Sequence, residues 1–379
     1  MTGPVFTFGP REEPKIDPEQ LDAFFARVDA DARSALEQNL DDRDGFQDRL
    51  YRDYGRGMDA MDLLYFSALD ASNWAEEAVD EALNRDDDRE SFDHFYGVMR
   101  GLVARALTSY AEITWLLRGG YPQAALTRVR FLHELFVTAE LLAQYGSPEG
   151  EHPELVDRYL EHHEVFVRGA ADDLIATGVL DPNEFFDQDV LDTLENRRTQ
   201  LLARYGKSFA GMWGWAAPLF PGKERISMKV IGSRVSPEMH YFYSMTSAHV
   251  HAGSEGWHET IVERGDEQVL ISGSTNLGLA LPAELGTAFL LQLVQTVVPP
   301  SIEGEEGATD TGGVLMAALF RMSATISEYM WAGEDAVRQA EERYQARLRQ
   351  GTRPDRAPRM RRLALRLVHH AERRLRRRL

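Results

Sequence analysis

Apolar residues recur at helical spacing along most of the chain and are separated by turn signals. In residues 123–146, QAALTRVRFLHELFVTAELLAQYG, they occupy nearly every face, which predicts a central buried helix ending at Gly146. A first helix is predicted from Asp17, an N-cap followed by Pro18, to about residue 38. Further helices are predicted over 46–84, with a kink near Gly55 and Gly57, and over 90–117, 153–176, 182–205, 237–252, 282–298 and 311–349. The pattern predicts an all-α bundle of long antiparallel helices.

Two segments depart from the helical pattern. Residues 258–273, HETIVERGDEQVLISG, alternate in polarity around a Gly-Asp pair, which predicts one small β-hairpin. The aromatic segment 209–222, FAGMWGWAAPLFPG, indicates a packed loop or short helix. The domain organisation expected from these signals is a helical region over 1–87, a main helical domain over 88–350, and a linker with a basic C-terminal helix over 351–379.

Composition favours a folded cytoplasmic protein. The chain has 379 residues, of which 43% are hydrophobic, and no cysteine. It therefore has ample material for a core, and it can form neither disulfides nor thiolate metal sites. The first twenty residues lack the basic and apolar regions of a secretory signal, and no apolar run is long enough to predict a membrane span. We expect no integral membrane segment.

The charge is unevenly distributed. Residues 343–379 contain fourteen arginines against Asp355 and Glu372, a net charge of +12, which leaves −31 for residues 1–342. In the predicted terminal helix, Leu363, Leu367, Leu375 and Leu379 recur at multiples of four, with arginine on most other faces. Such a helix suits RNA or other nucleic acid, an anionic membrane surface, or the acidic body of the same chain. A homo-oligomer is also compatible. The candidate nucleic-acid-binding residues are Arg361, Arg362, Arg366, Arg373, Arg374 and Arg377.

Polar residues interrupt the apolar central helix on one face. Thr127, Arg130, Glu134 and Thr138 follow one another at spacings of three, four and four, so they share that face. Arg130 and Glu134 can pair, but a buried guanidinium has five donors to satisfy. We therefore expect another helix to complete the group.

The segment HYFYSMTSAHVH, residues 240–251, contains the candidate partners. His240, Tyr243, Ser244, Ser247 and His251 fall on one side of its predicted helix. If this side faces Arg130 and Glu134, the two helices enclose the composition of a proton-transfer site, with His251 able to titrate near neutrality. The alternative is a structural ion pair surrounded by satisfied polar core groups.

These motifs resemble a known family. R-x-x-x-E on an apolar helix (RFLHE, 130–134), followed by Y-x-x-x-S-x-x-x-H (from Tyr243 to His251), is similar to a bacterial helical family known only as a domain of unknown function. The resemblance covers about residues 90–275. It implies that these positions matter but names no reaction.

A second resemblance is to the HEPN ribonucleases, all-helical proteins of toxin and phage-defence systems. Their signature, Arg followed by four to six residues and His, is met by Arg128 and His133 in RVRFLH, although Val129 stands where the family has a polar residue. The resemblance implies metal-independent RNA cleavage, with His as acid or base and Arg stabilising the phosphorane charge.

The sequence gives little support to a metal site or a cofactor site. His249 and His251 have a metal-like spacing, but residues two apart diverge on a helix, so we expect no metal site and no cofactor. The run EHHE, 161–164, is predicted to be a solvated helical face. The sequence also lacks the P-loop, dinucleotide-binding, nucleophile-elbow and H-E-x-x-H motifs.

Two functions remain open. The first is a metal-independent RNA-cleaving effector of toxin or phage-defence type, with His251 or His133 as acid or base, Arg128 or Arg130 as phosphate binder, and Glu134, Tyr243 and Ser247 in the same site. The second is a non-catalytic helical protein that binds nucleic acid or a partner, in which the polar cluster is structural.

Overall fold

In a computed structural model, nearly all described secondary structure is helical, which confirms the all-α class. The structure describes residues 17–83, 89–177, 188–223, 225–237, 240–250, 258, 261–264, 267–270, 272–299 and 311–350. Its α-helices are α1 (Pro18–Leu83), α2 (Arg89–Arg118), α3 (Pro122–Tyr145), α4 (Leu155–Ala176), α5 (Gln188–Tyr205), α6 (Met228–Val235), α7 (His240–Val250), α8 (Ala280–Gln295) and α9 (Thr311–Arg349).

Two short strands lie within residues 258–273. Strand β1 (Ile261–Arg264) pairs antiparallel with β2 (Glu267–Leu270), with Ile261 opposite Leu270 and Arg264 opposite Glu267. The pair projects from a chain whose described remainder is helical, so it does not change the fold class.

The contacts divide the chain into two units, Met1–Arg52 and Asp53–Leu379. In the first unit, the described residues belong mostly to α1; Phe24 and Phe25 are each 53% exposed, whereas Leu50 near the end of the unit is buried. The second unit contains the core. The boundaries predicted at residues 87 and 350 stay predictions.

Helix α3 lies at the centre of the second unit. It packs against α2, α7 and α8, and α8 packs in turn against α2 and α9. Pro122 begins α3, and Gly146 caps its end by donating from its N–H to the Leu142 carbonyl, 2.7 Å away. Thirteen residues of α3 are buried, so the prediction of a central helix is confirmed.

The prediction of two separate N-terminal helices was wrong. Residues 18–83 form one continuous helix that runs through Gly45, Gly55 and Gly57. A helical glycine costs only about 1 kcal/mol relative to alanine, and no proline follows Pro18 within the helix. Gly57 lies against Met330 of α9, so it allows a close approach of two helices rather than ending one.

A buried carboxylate links α9 to the start of α8. Glu334 is 1% exposed and accepts hydrogen bonds from the N–H groups of Gly278 and Leu279, at 2.8 Å and 3.0 Å. The Tyr54 hydroxyl donates to the same carboxylate at 2.9 Å. Because Leu279 offers no side-chain cap of its own, Glu334 supplies the acceptors that the first N–H groups of α8 require.

None of the described helices is both long enough and apolar enough to span a membrane.

Candidate functional site

The structure brings Arg130 and Glu134 of α3 together with Tyr243 and Ser247 of α7. The Arg130 Nη1 lies 2.6 Å from Glu134 Oε1, and Arg130 Nε donates to Ser247 Oγ at 3.2 Å. We call these four residues the α3–α7 cluster. The helical spacing predicted this meeting of residues that are more than a hundred positions apart in the chain.

The Arg130 guanidinium also stacks on an aromatic ring. Its Cζ lies 3.5 Å from the centre of the Tyr243 ring, where the ring quadrupole attracts a cation. A planar guanidinium presents its donors at its edge while its face stacks. Arg130 can therefore contact Ser247, Glu134 and the ring at the same time.

Ser247 orients the arginine rather than attacking a substrate. Its hydroxyl donates to the Tyr243 carbonyl at 2.7 Å and accepts from Arg130 Nε. The hydroxyl proton is engaged by the backbone, and the oxygen lone pair is directed toward the guanidinium. This chain of bonds makes Ser247 a positioning residue.

The cluster lies at the edge of the core. The side chain of Arg130 is 11% exposed and that of Glu134 is 29% exposed. Tyr243 and Ser247 are half-buried, whereas Ser244, which was predicted on the same face, is exposed. The side chain of Glu134 is therefore more open to solvent than that of Arg130.

The two residues of the HEPN-like pair do not join this cluster. His133 is 1% exposed and packs edge-on against Phe289 and Phe136, with Tyr243 on a further side. An imidazole enclosed in this way is shielded from solvent, and its role as acid or base stays a prediction. The apolar neighbours on α3 and α8 make a core position of His133.

Arg128 occupies a different face of α3. Its guanidinium forms an ion pair with Glu112 of α2, in which both side chains are more than one-third exposed, and lies 5.0 Å from the Phe131 ring centre. It makes the same kinds of contact as Arg130 but away from α7. Of the two arginines, Arg130 is the one that contacts α7, and a functional role for either stays a prediction.

Several predicted residues lie outside the described part of the chain. These are His251 and the tail residues Arg361, Arg362, Arg366, Arg373, Arg374 and Arg377, and the side chain of His240 is also not described. Among the described residues, no three His, Asp or Glu side chains lie close enough together to share a metal ion. The roles assigned to His251 and to the tail stay predictions.

The EHHE run is not a solvated face. His162 is 7% exposed, and its Nε2 lies 3.1 Å from the Phe209 carbonyl oxygen and 2.9 Å from that of Gly211. Burial lowers the pKa of His162. Its flanking acids, Glu161 and Glu164, both bond to Arg197 of α5.

Arg158, one turn before His162, also holds the aromatic segment 209–222. Its Nε donates to the Trp215 carbonyl at 2.8 Å and its Nη2 to the Gly214 carbonyl at 3.0 Å. Burial lowers the pKa of this arginine.

Sequence reasoning missed Arg158 and His162 because backbone carbonyls carry no residue-specific signal. The i,i+4 spacing of two basic residues was the only hint.

A groove of about 460 Å³ lies between α2 and α4, apart from the cluster. Gly97 and Gly101 form part of its floor, and Arg105 and Tyr159 lie at its walls. None of the predicted site residues lines it. The groove and the α3–α7 cluster are therefore separate features of the fold.

Residues 96–268 match the model of a family of unknown function (DUF5677). The match includes the whole α3–α7 cluster, and it confirms the resemblance to a domain-of-unknown-function family that the two motifs indicated over about 90–275. It does not support the HEPN resemblance. No curated protein and no solved structure matches the chain.

Proposed function

We propose that the α3–α7 cluster is the site of a metal-independent ribonuclease, acting as a cytoplasmic effector of toxin or phage-defence type. The observation that supports this proposal is the placement of Arg130, which is held by Ser247, Tyr243 and Glu134 at the edge of the core. A fixed cation beside an accessible carboxylate combines charge stabilisation with proton transfer.

The reaction that suits these groups is internal transfer at a phosphodiester. Glu134 takes the proton of the ribose 2′-hydroxyl, the 2′-oxygen bonds to phosphorus, and the bond to the 5′-oxygen breaks. His251 gives a proton to the leaving 5′-oxygen, and Arg130 stabilises the negative charge on the phosphorane. The products are a 2′,3′-cyclic phosphate and a 5′-hydroxyl.

One of the five guanidinium donors of Arg130, the Nε–H, bonds to Ser247, while Nη1 forms the ion pair with Glu134, and we assign the remaining donors to the phosphate. Such contacts weaken as salt rises, because binding releases the counterions of the nucleic acid.

A structural role for the same residues is the second candidate. The observation that favours it is the low exposure of Arg130, 11%, together with its partners within the protein: the Tyr243 ring, the Ser247 hydroxyl and the Glu134 carboxylate. In that case the chain is a non-catalytic binding protein, and the cluster only fixes α7 on α3.

Incubation of the full chain with RNA and with single-stranded DNA, in the presence of a chelator, separates the two. We expect RNA cleavage that falls by about 10²–10⁴-fold in Glu134→Gln and in His251→Ala, since each removes a proton-transfer group. Arg130→Lys keeps the charge and loses the planar donors, so cleavage should fall there as well.

The matched control is Arg128→Lys, which changes the other ion-paired, ring-stacked arginine of α3. It should cleave like the unmodified chain, and every variant should be compared by its thermal unfolding midpoint. Unchanged cleavage in Glu134→Gln and His251→Ala would refute the proposed site. No cleavage by the unmodified chain, together with a lowered midpoint in Arg130→Lys, would establish the structural alternative.

A further inference from the structure

Three large apolar side chains are exposed where α1 and α2 lie side by side. Trp115 is 78% exposed, and Leu63 and Phe66 are each 59% exposed. We call these three residues the α1–α2 surface. Exposed tryptophan and phenylalanine are the residue types that most often anchor a binding partner.

Two ion pairs set the levels at which α1 and α2 lie beside each other. Arg118 Nη2 lies 2.6 Å from Asp62 Oδ2, and Arg100 pairs with Glu76, so α2 runs antiparallel to α1. One helical turn back from Arg118 is Trp115, and one turn forward from Asp62 is Phe66. Because the helices are antiparallel, a step back along α2 and a step forward along α1 move in the same direction. The rings of Trp115 and Phe66 therefore lie at about the same height along the helix pair.

The border of the α1–α2 surface is acidic. The side chains of Asp59 and Asp62 are 53% and 50% exposed, and Asp70, one turn after Phe66, is also exposed. Arg118 is the cation that contacts this border. A matching partner would carry an apolar stripe flanked by positive charges.

The C-terminal segment of the same chain has this pattern. Leucines stand at 363, 367, 375 and 379, with Ala371 between them, and arginines flank them; residues 343–379 carry a net charge of +12. The sequence predicts an amphipathic basic helix over 361–379.

The segment is also long enough to reach the surface. Gly57 adjoins Met330 of α9, so Phe66 lies near the level of residue 321, about 42 Å along α9 from Arg349 at 1.5 Å per residue. The ten-residue linker 351–360, which contains two prolines, extends to about 31 Å. A helix over 361–379 adds about 28 Å. The middle of that helix can therefore lie over Phe66 and Trp115.

We propose that residues 361–379 dock through their leucine stripe on the α1–α2 surface of the same chain, with flanking arginines directed at Asp59, Asp62 and Asp70. Docking would cover the exposed Trp115 ring and bring opposite charges together. The inference does not depend on RNA cleavage.

The absence of cysteine from the chain allows a direct distance measurement. The full chain with Thr108→Cys, an exposed position on α2, and His370→Cys in the tail is spin-labelled and examined by pulsed electron paramagnetic resonance. Docking predicts one narrow distance distribution. A free tail would give a broad one, since a flexible tether of twenty residues spreads over roughly 25 Å.

Variants of the α1–α2 surface and of the tail identify the residues that make the docking contact. Trp115→Ala on the surface, and Leu367→Asp with Leu375→Asp in the tail, should each broaden the distribution. Phe166→Ala changes an exposed aromatic residue of α4, 41% exposed, and should leave it narrow. High salt should broaden it in the unmodified chain, because screening weakens the contacts between the arginines and aspartates.

A broad distribution in the unmodified chain would overturn the proposal, and so would a narrow one that Trp115→Ala does not change. Loss of the narrow distribution on dilution with unlabelled chain would show that the tail docks on a second copy. A narrow distribution that forms only when RNA is added would identify RNA as the ordering partner. Both results would also overturn docking within one chain.

Discussion

The guanidinium carbon of Arg130 lies 3.5 Å from the ring centre of Tyr243. An arginine that is 11% exposed depends on such contacts, because burial removes water from the charge. Replacement of Tyr243 by leucine should lower the free energy of unfolding by about 1–2 kcal/mol, the range for a partly desolvated cation–π pair. Tyr243→Phe keeps the ring face and should retain more of that stability. Urea denaturation of the two variants provides the comparison, and equal losses would contradict a role for the ring face.

Glu334 makes a second testable contribution to stability. It accepts hydrogen bonds from Gly278, Leu279 and Tyr54 while 1% exposed. Glu334→Ala therefore leaves the N–H groups of Gly278 and Leu279 without this acceptor, whereas the Tyr54 hydroxyl keeps the Asn276 carbonyl. We expect a loss of about 3 kcal/mol in the free energy of unfolding. Tyr54→Phe removes one of these donors and should cost about 1 kcal/mol. Denaturant midpoints measure both effects, and a cost for Tyr54→Phe as large as that for Glu334→Ala would assign the stability to the tyrosine.

His162 should make stability depend on pH. Burial lowers its pKa in the folded chain below the usual value of about 6.5. The unfolded chain therefore takes up a proton at higher pH than the folded chain does. The free energy of unfolding should fall as the pH drops through about 6.5 toward the lowered pKa. Thermal unfolding midpoints measured over this pH range give the slope.

The replacement His162→Gln provides the comparison, because the amide keeps an N–H donor and does not titrate. It should reduce the slope, whereas His163→Gln, at the exposed neighbouring position, should leave it unchanged. A slope that both variants preserve would assign the pH dependence to other groups.

Glycines of α2 and α9 should respond to alanine in opposite ways. A Cβ on Gly97 or Gly101 would meet no atom within 4 Å, whereas one on Gly333 would lie 2.6 Å from the Asp53 carbonyl oxygen. Gly97→Ala and Gly101→Ala should each stabilise the chain by about 0.5–1 kcal/mol through helix propensity. Gly333→Ala should destabilise it because the backbone must shift. Calorimetry of the three variants tests the contrast, and stabilisation by Gly333→Ala would contradict the close approach of α9 to α1.

The helical spacing predicted the members of the α3–α7 cluster because the period of 3.6 residues decides which side chains share a face. Arg130 and Glu134 stood out as charges on an apolar helix, and Tyr243 and Ser247 as a polar stripe on another. Contact between two polar stripes within an apolar core lowers the free energy of the folded chain, because an unpaired buried charge is costly. The same reasoning located α3 and its end at Gly146.

The contacts that the sequence did not predict depend on the packing of distant elements. The burial of His133 depends on rings from α7 and α8, including Tyr243 and Phe289, and these contacts exist only after the helices pack. Glu334 caps α8 from a distant helix, so no N-cap pattern precedes α8 itself. Nothing local distinguishes such a glutamate from a solvated one.

Arg158 and His162 of α4 contact the aromatic segment 209–222 through its carbonyl oxygens. A carbonyl is the same whatever side chain its residue carries. Positions of the segment that point outward, such as Met212 at 74% exposure, can therefore be exchanged while the path of the backbone is retained. In protein engineering, this segment is a natural graft site, where foreign side chains could be displayed on an unchanged scaffold.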